Sequence, residues 1–471
     1  MTSVPCGRLN NPTILIFKVL KSVNPYTREL LQAYPVMGKR EVEDVLQHAQ
    51  AAFQDWKTLS IAERTAYLPS LILALRDEQA HLALLATLEM GKLLKEARAE
   101  VQKCISLCEY YLENAAAHLA PERMATDATQ SGVVYQPLGV VLGIMPWNFP
   151  YWQAFRFIIP ALMSGNATVM KHASNVTGCA LAIEALFKKA HFPANLMRSL
   201  LLPGAQMQPL VQHDLVAAVS LTGSEQVGRQ VGGWAGSALK PMVLELGGND
   251  PFIVFEDADL DLAAKTAMQS RFQNAGQSCI AAKRFIVHAS VFASFLDRCE
   301  VIAAAYVLGD PQNENTSLAP LASQHFADEL ADHINHAVLE GAKVLTGGGK
   351  WHKNEAFFQP TILTQVHAKM LVAREELFGP VALVLKFNAF SEAMTLANDS
   401  KFGLGATAFT SDKEIQEACI NKINAGSVYI NGLMKSHPAL PFGGIKASGL
   451  GRELGREGLR AFVNIKTYWN R

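Results

Sequence analysis

Val140-Val-Leu-Gly-Ile144 is the first of a set of short, β-branched runs, and others follow at residues 167–171, 198–202 and 216–221. Helix-like stretches separate these runs, and the alternation predicts βαβ units and a parallel sheet. A second alternating series begins near Met242, passes through residues 252–255 and 285–288, and continues to about Gly432, which predicts a second α/β unit. Upstream the texture differs. Val45, Leu46, Ala49, Ala52, Phe53 and Trp56 recur at helical spacing, and Ser60 with Glu63 has the separation of a capping box. The residues before about 100 are therefore expected to be mostly amphipathic helix.

The 471 residues are 49% hydrophobic and 18% charged, an ordinary globular balance whose length suggests two or three domains. No repeat, charge block or Pro/Ser-rich linker interrupts them, so the domains are expected to pack closely. Lys plus Arg and Asp plus Glu each number 42, leaving no overall field to attract nucleic acid or an anionic membrane. A small neutral or weakly anionic substrate is the expectation instead. Seven scattered cysteines do not form a secreted disulfide pattern, and a reducing cytoplasm is expected. Cys104 and Cys108 share a helix face without a second Cys or His pair, so no metal site is expected. The apolar run at residues 13–17 is interrupted by Lys18 and Lys21, reads as neither signal peptide nor membrane span, and takes no assigned role. Gly347-Gly-Gly-Lys350 lacks the earlier glycine and the following Ser/Thr of a phosphate loop and reads as a surface turn.

Three segments carry chemistry. Phe272-Gln-Asn-Ala-Gly-Gln-Ser-Cys279 sets a cysteine just after a polar turn. A lone cysteine is more often an inert core residue than a nucleophile. Met242-Val-Leu-Glu-Leu-Gly-Gly-Asn249 ends an apolar run with the carboxylate Glu245, whose bland reading is the outward residue of a strand. Gly143-Ile-Met-Pro-Trp-Asn-Phe-Pro150 holds Asn148 between prolines and aromatics, either as a plain turn or with its amide facing a cavity.

In this order and spacing the three segments resemble the aldehyde dehydrogenase superfamily, from about Asn24 to the C-terminus. Leu202-Pro-Gly204, Leu221-Thr-Gly-Ser224, Glu375-Glu-Leu-Phe-Gly-Pro380 and Pro441-Phe-Gly-Gly-Ile-Lys-Ala-Ser-Gly449 extend the likeness. The resemblance implies that Cys279 attacks the aldehyde carbon as a thiolate, and that Asn148 with the Cys279 N–H stabilises the oxyanion. Glu245 then activates water to hydrolyse the thioester. It also implies a variant Rossmann cofactor domain, an α/β catalytic domain and a small β oligomerisation element. These correspond to residues 1–112 with 133–242, residues 243–447, and residues 113–132 with 448–471. An apolar final strand at residues 459–463 would suit an edge that needs a partner, and a homodimer or homotetramer is expected.

No Gly-x-Gly-x-x-Gly follows a strand. The resemblance places the dinucleotide instead on Trp147, Lys171, Gly204, Thr222, Gly223, Ser224 and Leu246, with Glu376 and Phe378 at the nicotinamide half. Relatives that prefer NAD often carry a glutamate where this chain has Ser174. Beside Lys171, a neutral hydroxyl accommodates a 2′-phosphate, so NADP is expected to be preferred with NAD still usable. A plain helix cap is the equal alternative for Ser174.

Trp152, Arg156, Ser278 and the Lys171-His-Ala-Ser174 segment resemble the short microbial succinate-semialdehyde dehydrogenases. That likeness implies Arg156 as a clamp for the distal carboxylate, Ser278 and Ser436 as hydrogen-bonding partners, and Trp152 and Phe442 as walls. A second cysteine two residues after the nucleophile forms a redox switch in some relatives; Ala281 stands there in this chain. Two alternatives stay open: another semialdehyde or a broad aliphatic aldehyde, and, in a different class, a cysteine acyltransferase or hydrolase.

Overall fold

The computed structural model describes residues 19–471. The apolar run at residues 13–17 lies outside them. Five parallel strands form the first sheet: β1 (Val140–Met145), β2 (Ala167–His172), β3 (Met197–Ser199), β4 (Val216–Thr222) and β5 (Met242–Glu245). They lie side by side as β3-β2-β1-β4-β5, with the short antiparallel strand Gly449–Leu450 beyond β5. That is the order of a dinucleotide-binding half, and it reverses between β1 and β4, where ligands collect at the carboxyl ends of the strands. β1 and β2 are buried along their whole length, as the unbroken apolar runs require.

The second sheet contains β6 (Pro251–Val254), β7 (Arg284–His288), β8 (Lys343–Thr346), β9 (Thr361–Thr364), β10 (Val381–Phe387), β11 (Gly405–Phe409) and β12 (Ser427–Ile430). Their order is β8-β9-β10-β7-β6-β11-β12, parallel except for the β8–β9 edge pair. The chain is thus α/β in both units. A third, antiparallel sheet sets Val463–Asn470 beside Gln130–Pro137 and Glu122–Arg123.

Two local expectations are corrected. Residues 113–118 belong to the helix Leu94–His118 rather than to the β element expected over residues 113–132. The stretch 459–463 is not a strand: Gly455–Arg460 is a helix that buries Gly455, Gly458 and Leu459, and pairing starts only at Val463. A run of five apolar-rich residues fits either period, and packing of Leu459 decided it. The Ser60–Glu63 capping box is present, with the Glu63 N–H donating to Ser60 Oγ at 3.3 Å and the Ser60 N–H to Glu63 Oε2 at 2.7 Å. No helix among the described residues is long and apolar enough to cross a membrane.

Candidate active site

Asn148 follows β1, and its turn is fixed from behind by buried charge. Glu100, on the helix Leu94–His118, accepts the N–H groups of Tyr151 (2.8 Å) and Trp152 (2.9 Å) with one carboxyl oxygen. Those are free donors at the start of the helix Trp152–Met163, where a carboxylate is doubly favoured. Lys92 neutralises Glu100, and its ammonium stands 3.9 Å over the Phe149 ring.

The loop before Cys279 is laced to that turn. Asn148 Nδ2 donates to the Gln277 carbonyl at 3.0 Å, and Asn274 Nδ2 donates to the Asn148 carbonyl at 2.9 Å. Asn274, Ala275 and Gly276 are consecutive left-handed residues, a conformation that costs a side-chain-bearing residue about 1–2 kcal/mol. Buried Arg271 holds the turn by donating to the carbonyls of Gly276 and Ala282. Beyond it, Lys283 Nζ donates to the carbonyls of Ser278 (3.1 Å) and Cys279 (2.7 Å) and pairs with Glu376 at 3.2 Å.

Cys279 reaches a cavity of about 650 Å³ that Trp152, Ser278, Ser436 and Lys103 also line. Burial pushes its thiol up to about 12, although Arg156 and Lys283 pull it down. An amide nitrogen carries two hydrogens, so Asn148 keeps one beyond its bond to Gln277. The Cys279 N–H has no acceptor among the described residues. Each group thus has one donor hydrogen without a partner among the described residues.

Glu245, at the end of β5, is 2% exposed, and neither carboxyl oxygen has a hydrogen-bond partner. Burial and the carboxyl of Glu453 raise its pKa well above the usual range, with Arg156 and Arg452 opposing. Its carboxyl faces Gly443, on the side of Glu453 rather than among the charges that act on the thiol.

Arg156 lies close enough to act on the Cys279 thiol. It is 2% exposed, ion-paired with Glu453, stacked 4.6 Å from the Phe442 ring, and absent from the cavity wall. A guanidinium at this depth requires a carboxylate, and the C-terminal segment supplies it. Phe442 likewise lines a neighbouring cavity shared with Ser436 rather than the one holding Cys279. Arg271, Asn274, Gln277, Lys283, Glu100, Glu453 and Lys103 escaped the reading of the sequence. Only Asn274 and Gln277, in the polar turn just before Cys279, gave any local hint.

The remaining residues gather at the carboxyl ends of the first sheet. Lys171 ends β2 region, and burial alone lowers its ammonium. Ser174 is the first residue of a short 3-10 turn whose N-cap position is taken by Ala173. Thr222 ends β4 with its buried hydroxyl unpartnered, and Ser224 caps the helix Glu225–Ser237 by accepting the Val227 N–H. Gly204 borders open space and Gly223 leaves room, while Leu246 packs beneath Gly228. Trp147 stacks on Phe326 at 5.1 Å and meets Phe378 edge-on at 5.7 Å. An orphaned hydroxyl, a lysine without a carboxylate acting on it and a capped helix start together fit a dinucleotide's phosphates and ribose.

Fold and site define the class: a dinucleotide-dependent dehydrogenase with a thiol close to the strand ends. The chain belongs to the aldehyde dehydrogenase family, whose profile matches residues 17–468. A probable NADP(+) succinate-semialdehyde dehydrogenase of Synechocystis is 46% identical, covering 96% of this chain and 99% of that one. The Escherichia coli NAD(P)+ succinate semialdehyde dehydrogenase Sad is 42% identical, with 95% and 97% covered. The succinic semialdehyde dehydrogenase of Streptococcus pyogenes, solved with NADP+, superposes with a TM-score of 0.93 at 36% identity, over 96% of this chain and 99% of that one.

Proposed function

We propose that the protein oxidises succinate semialdehyde to succinate, using NADP in preference to NAD. The observation that carries this reading is likeness along nearly the whole chain to enzymes named for that reaction, including one solved with NADP+. Cys279 adds to the aldehyde carbon, while the second Asn148 hydrogen and the Cys279 N–H hold the oxyanion. When bound, the dinucleotide supplies the hydride acceptor. Lys171, Ser174, Thr222 and Ser224 would hold its phosphates and ribose, with Trp147, Gly204, Gly223 and Leu246 around them and Glu376 and Phe378 on the nicotinamide side. Glu245, once deprotonated, takes the proton from the water that releases the acid from Cys279.

Residues 1–112 with 133–242 and residues 243–447 are read as cofactor and catalytic domains, with the third sheet as the assembly element. Val463–Asn470 is its edge strand, and Ile465 and Trp469 are exposed on it, which supports a homodimer or homotetramer. A cytoplasmic location accords with six free cysteines among the described residues. The experiment is an initial-rate matrix of succinate semialdehyde, glutarate semialdehyde and butyraldehyde against NAD and NADP, read by reduced-nicotinamide absorbance. Highest efficiency with succinate semialdehyde and NADP is expected. Equal efficiency across the aldehydes would leave a broad aldehyde dehydrogenase, and no absorbance change would leave an acyltransferase or hydrolase.

A further inference from the structure

The second residue of Lys171-His-Ala-Ser174 joins two loops of the site. His172 is the last residue of β2, opposite Met145 at the end of β1, and is 5% exposed. Its ring reaches past both strand ends. Nε2 stands 2.8 Å from the carbonyl of Pro150, in the turn that carries Asn148, and Nδ1 accepts the N–H of Ala173, just before Ser174, at 2.9 Å.

These two partners fix the tautomer. A carbonyl oxygen only accepts and a main-chain N–H only donates, so the ring proton sits on Nε2 and the lone pair on Nδ1. Burial lowers the ring to about 4 against the pull of the Pro150 bond, and the neighbouring Lys171 charge lowers it further, so the imidazole is neutral around pH 7. A protonated ring would set two donors against each other at Ala173. The Pro150 end is a fixed point, because Glu100 holds the same turn through the Tyr151 and Trp152 N–H groups. The Ala173 end is the entry to the short turn Ser174–Val176, for which Ala173 is the N-cap residue. Lys171 and Ser174 flank the two clamped residues, one on either side.

We propose that His172 is a positioning residue for the choice of dinucleotide: its ring, locked between Pro150 and Ala173, sets residues 171–174 so that Lys171 and Ser174 meet the 2′-phosphate of NADP. This rests on the reading of Lys171 and Ser174 as the residues that receive that phosphate, and it deepens the reading by naming what holds them. A ring that only filled the core would support folding and treat NAD and NADP alike.

The test compares kcat/KM for NADP and NAD in the full chain and in its variants. His172→Phe keeps a ring but loses both bonds, and its NADP-to-NAD ratio should fall about tenfold; His172→Gln, whose amide offers a donor and an acceptor, should recover to within about threefold of wild type. Ala173→Pro removes the clamped N–H from the other side, at a φ of −58° that proline adopts and after an extended residue. Its ratio should fall likewise, which keeps the test decisive where His172→Phe does not fold. Competitive inhibition separates the phosphate from the rest of the cofactor: in His172→Phe the Ki of 2′,5′-ADP should rise about tenfold while that of 5′-AMP stays within about threefold. A ratio within about threefold of wild type in either folded variant, including a proportional loss with both dinucleotides, overturns the role of His172 and leaves the phosphate reading intact. A wild-type protein that binds 2′,5′-ADP no more tightly than 5′-AMP overturns the phosphate reading, and the proposal with it.

Discussion

Replacing Glu245 by Gln separates what this carboxyl does for the reaction from what it costs the fold. It is almost wholly buried, and both oxygens lack hydrogen-bond partners. Burial raises its pKa first and the Glu453 carboxyl second. The folded chain therefore keeps the proton to a higher pH than the unfolded chain does. Between those two pKa values the native state binds more protons, so stability falls as pH rises. The contribution is complete only below the unfolded carboxyl range, about pH 4. An amide has no such proton to lose. The variant should match wild type in urea unfolding near roughly pH 4 and exceed it at about pH 8, by about 1–3 kcal/mol. Turnover should move the other way. Loss of a positioned base lowers steady-state rate ~10²–10⁴-fold, while acylated Cys279 accumulates and is seen by intact mass. Full turnover in Glu245→Gln would remove this residue as the base. An identical pH dependence of stability in the two proteins would refute the account of its burial.

Asn148→Ala removes an oxyanion donor together with the tie to the Gln277 carbonyl, and kcat should fall ~10²–10³-fold in steady-state assays. The Cys279 thiol, held up near 12, is mostly protonated at neutral pH. Its alkylation by iodoacetamide should therefore quicken roughly tenfold per pH unit from about pH 7 to 9, and a plateau in that interval would contradict the burial effect. Ser174→Glu sets a carboxylate where a 2′-phosphate would lie. The NADP-to-NAD ratio of kcat/KM should drop about tenfold or more, and an unchanged ratio would show that this position does not read the phosphate.

The parts legible in the sequence are those governed by local period and local chemistry. Unbroken β-branched runs such as 140–144 announce buried parallel strands, and Ser60 with Glu63 announces a helix start. The strand order, with its switch point between β1 and β4, follows the expected fold class, and the strand ends receive Lys171, Thr222 and Glu245. What was not legible is pairing across the fold. Nothing around Arg156 tells that Glu453 will meet it, because the two sit on segments joined only by tertiary packing. Lys103 is equally silent: it lies off the helix face that Val101, Cys104 and Cys108 bury, and a helix lysine ordinarily means solvent. Residues 459–463 failed for another reason, since five residues carry too little periodicity to separate a short helix from a strand.

Cys279 and the residues assigned to the nicotinamide half form one mechanical unit. A side chain at Gly276, itself left-handed, would overlap the backbone of Gly379, so the loop before Cys279 touches the Glu375–Pro380 loop backbone to backbone. Lys283 crosses the same junction, donating to the Cys279 carbonyl and pairing with Glu376. Glu376 in turn accepts the N–H of Gly248, three residues past Glu245. The sulfur, the acid assigned to the nicotinamide half and the strand bearing the assigned base are thus joined through three short links, none of which involves a ligand. Displacing one member by an ångström must displace the others or break a buried ion pair. Strain in Asn274 and Ala275 persists because Arg271 and the Asn274 amide over-determine the turn. If Cys279 and Glu376 have the roles proposed for them, such a frame would fix their separation before either ligand arrives, which is where positioning contributes most to rate.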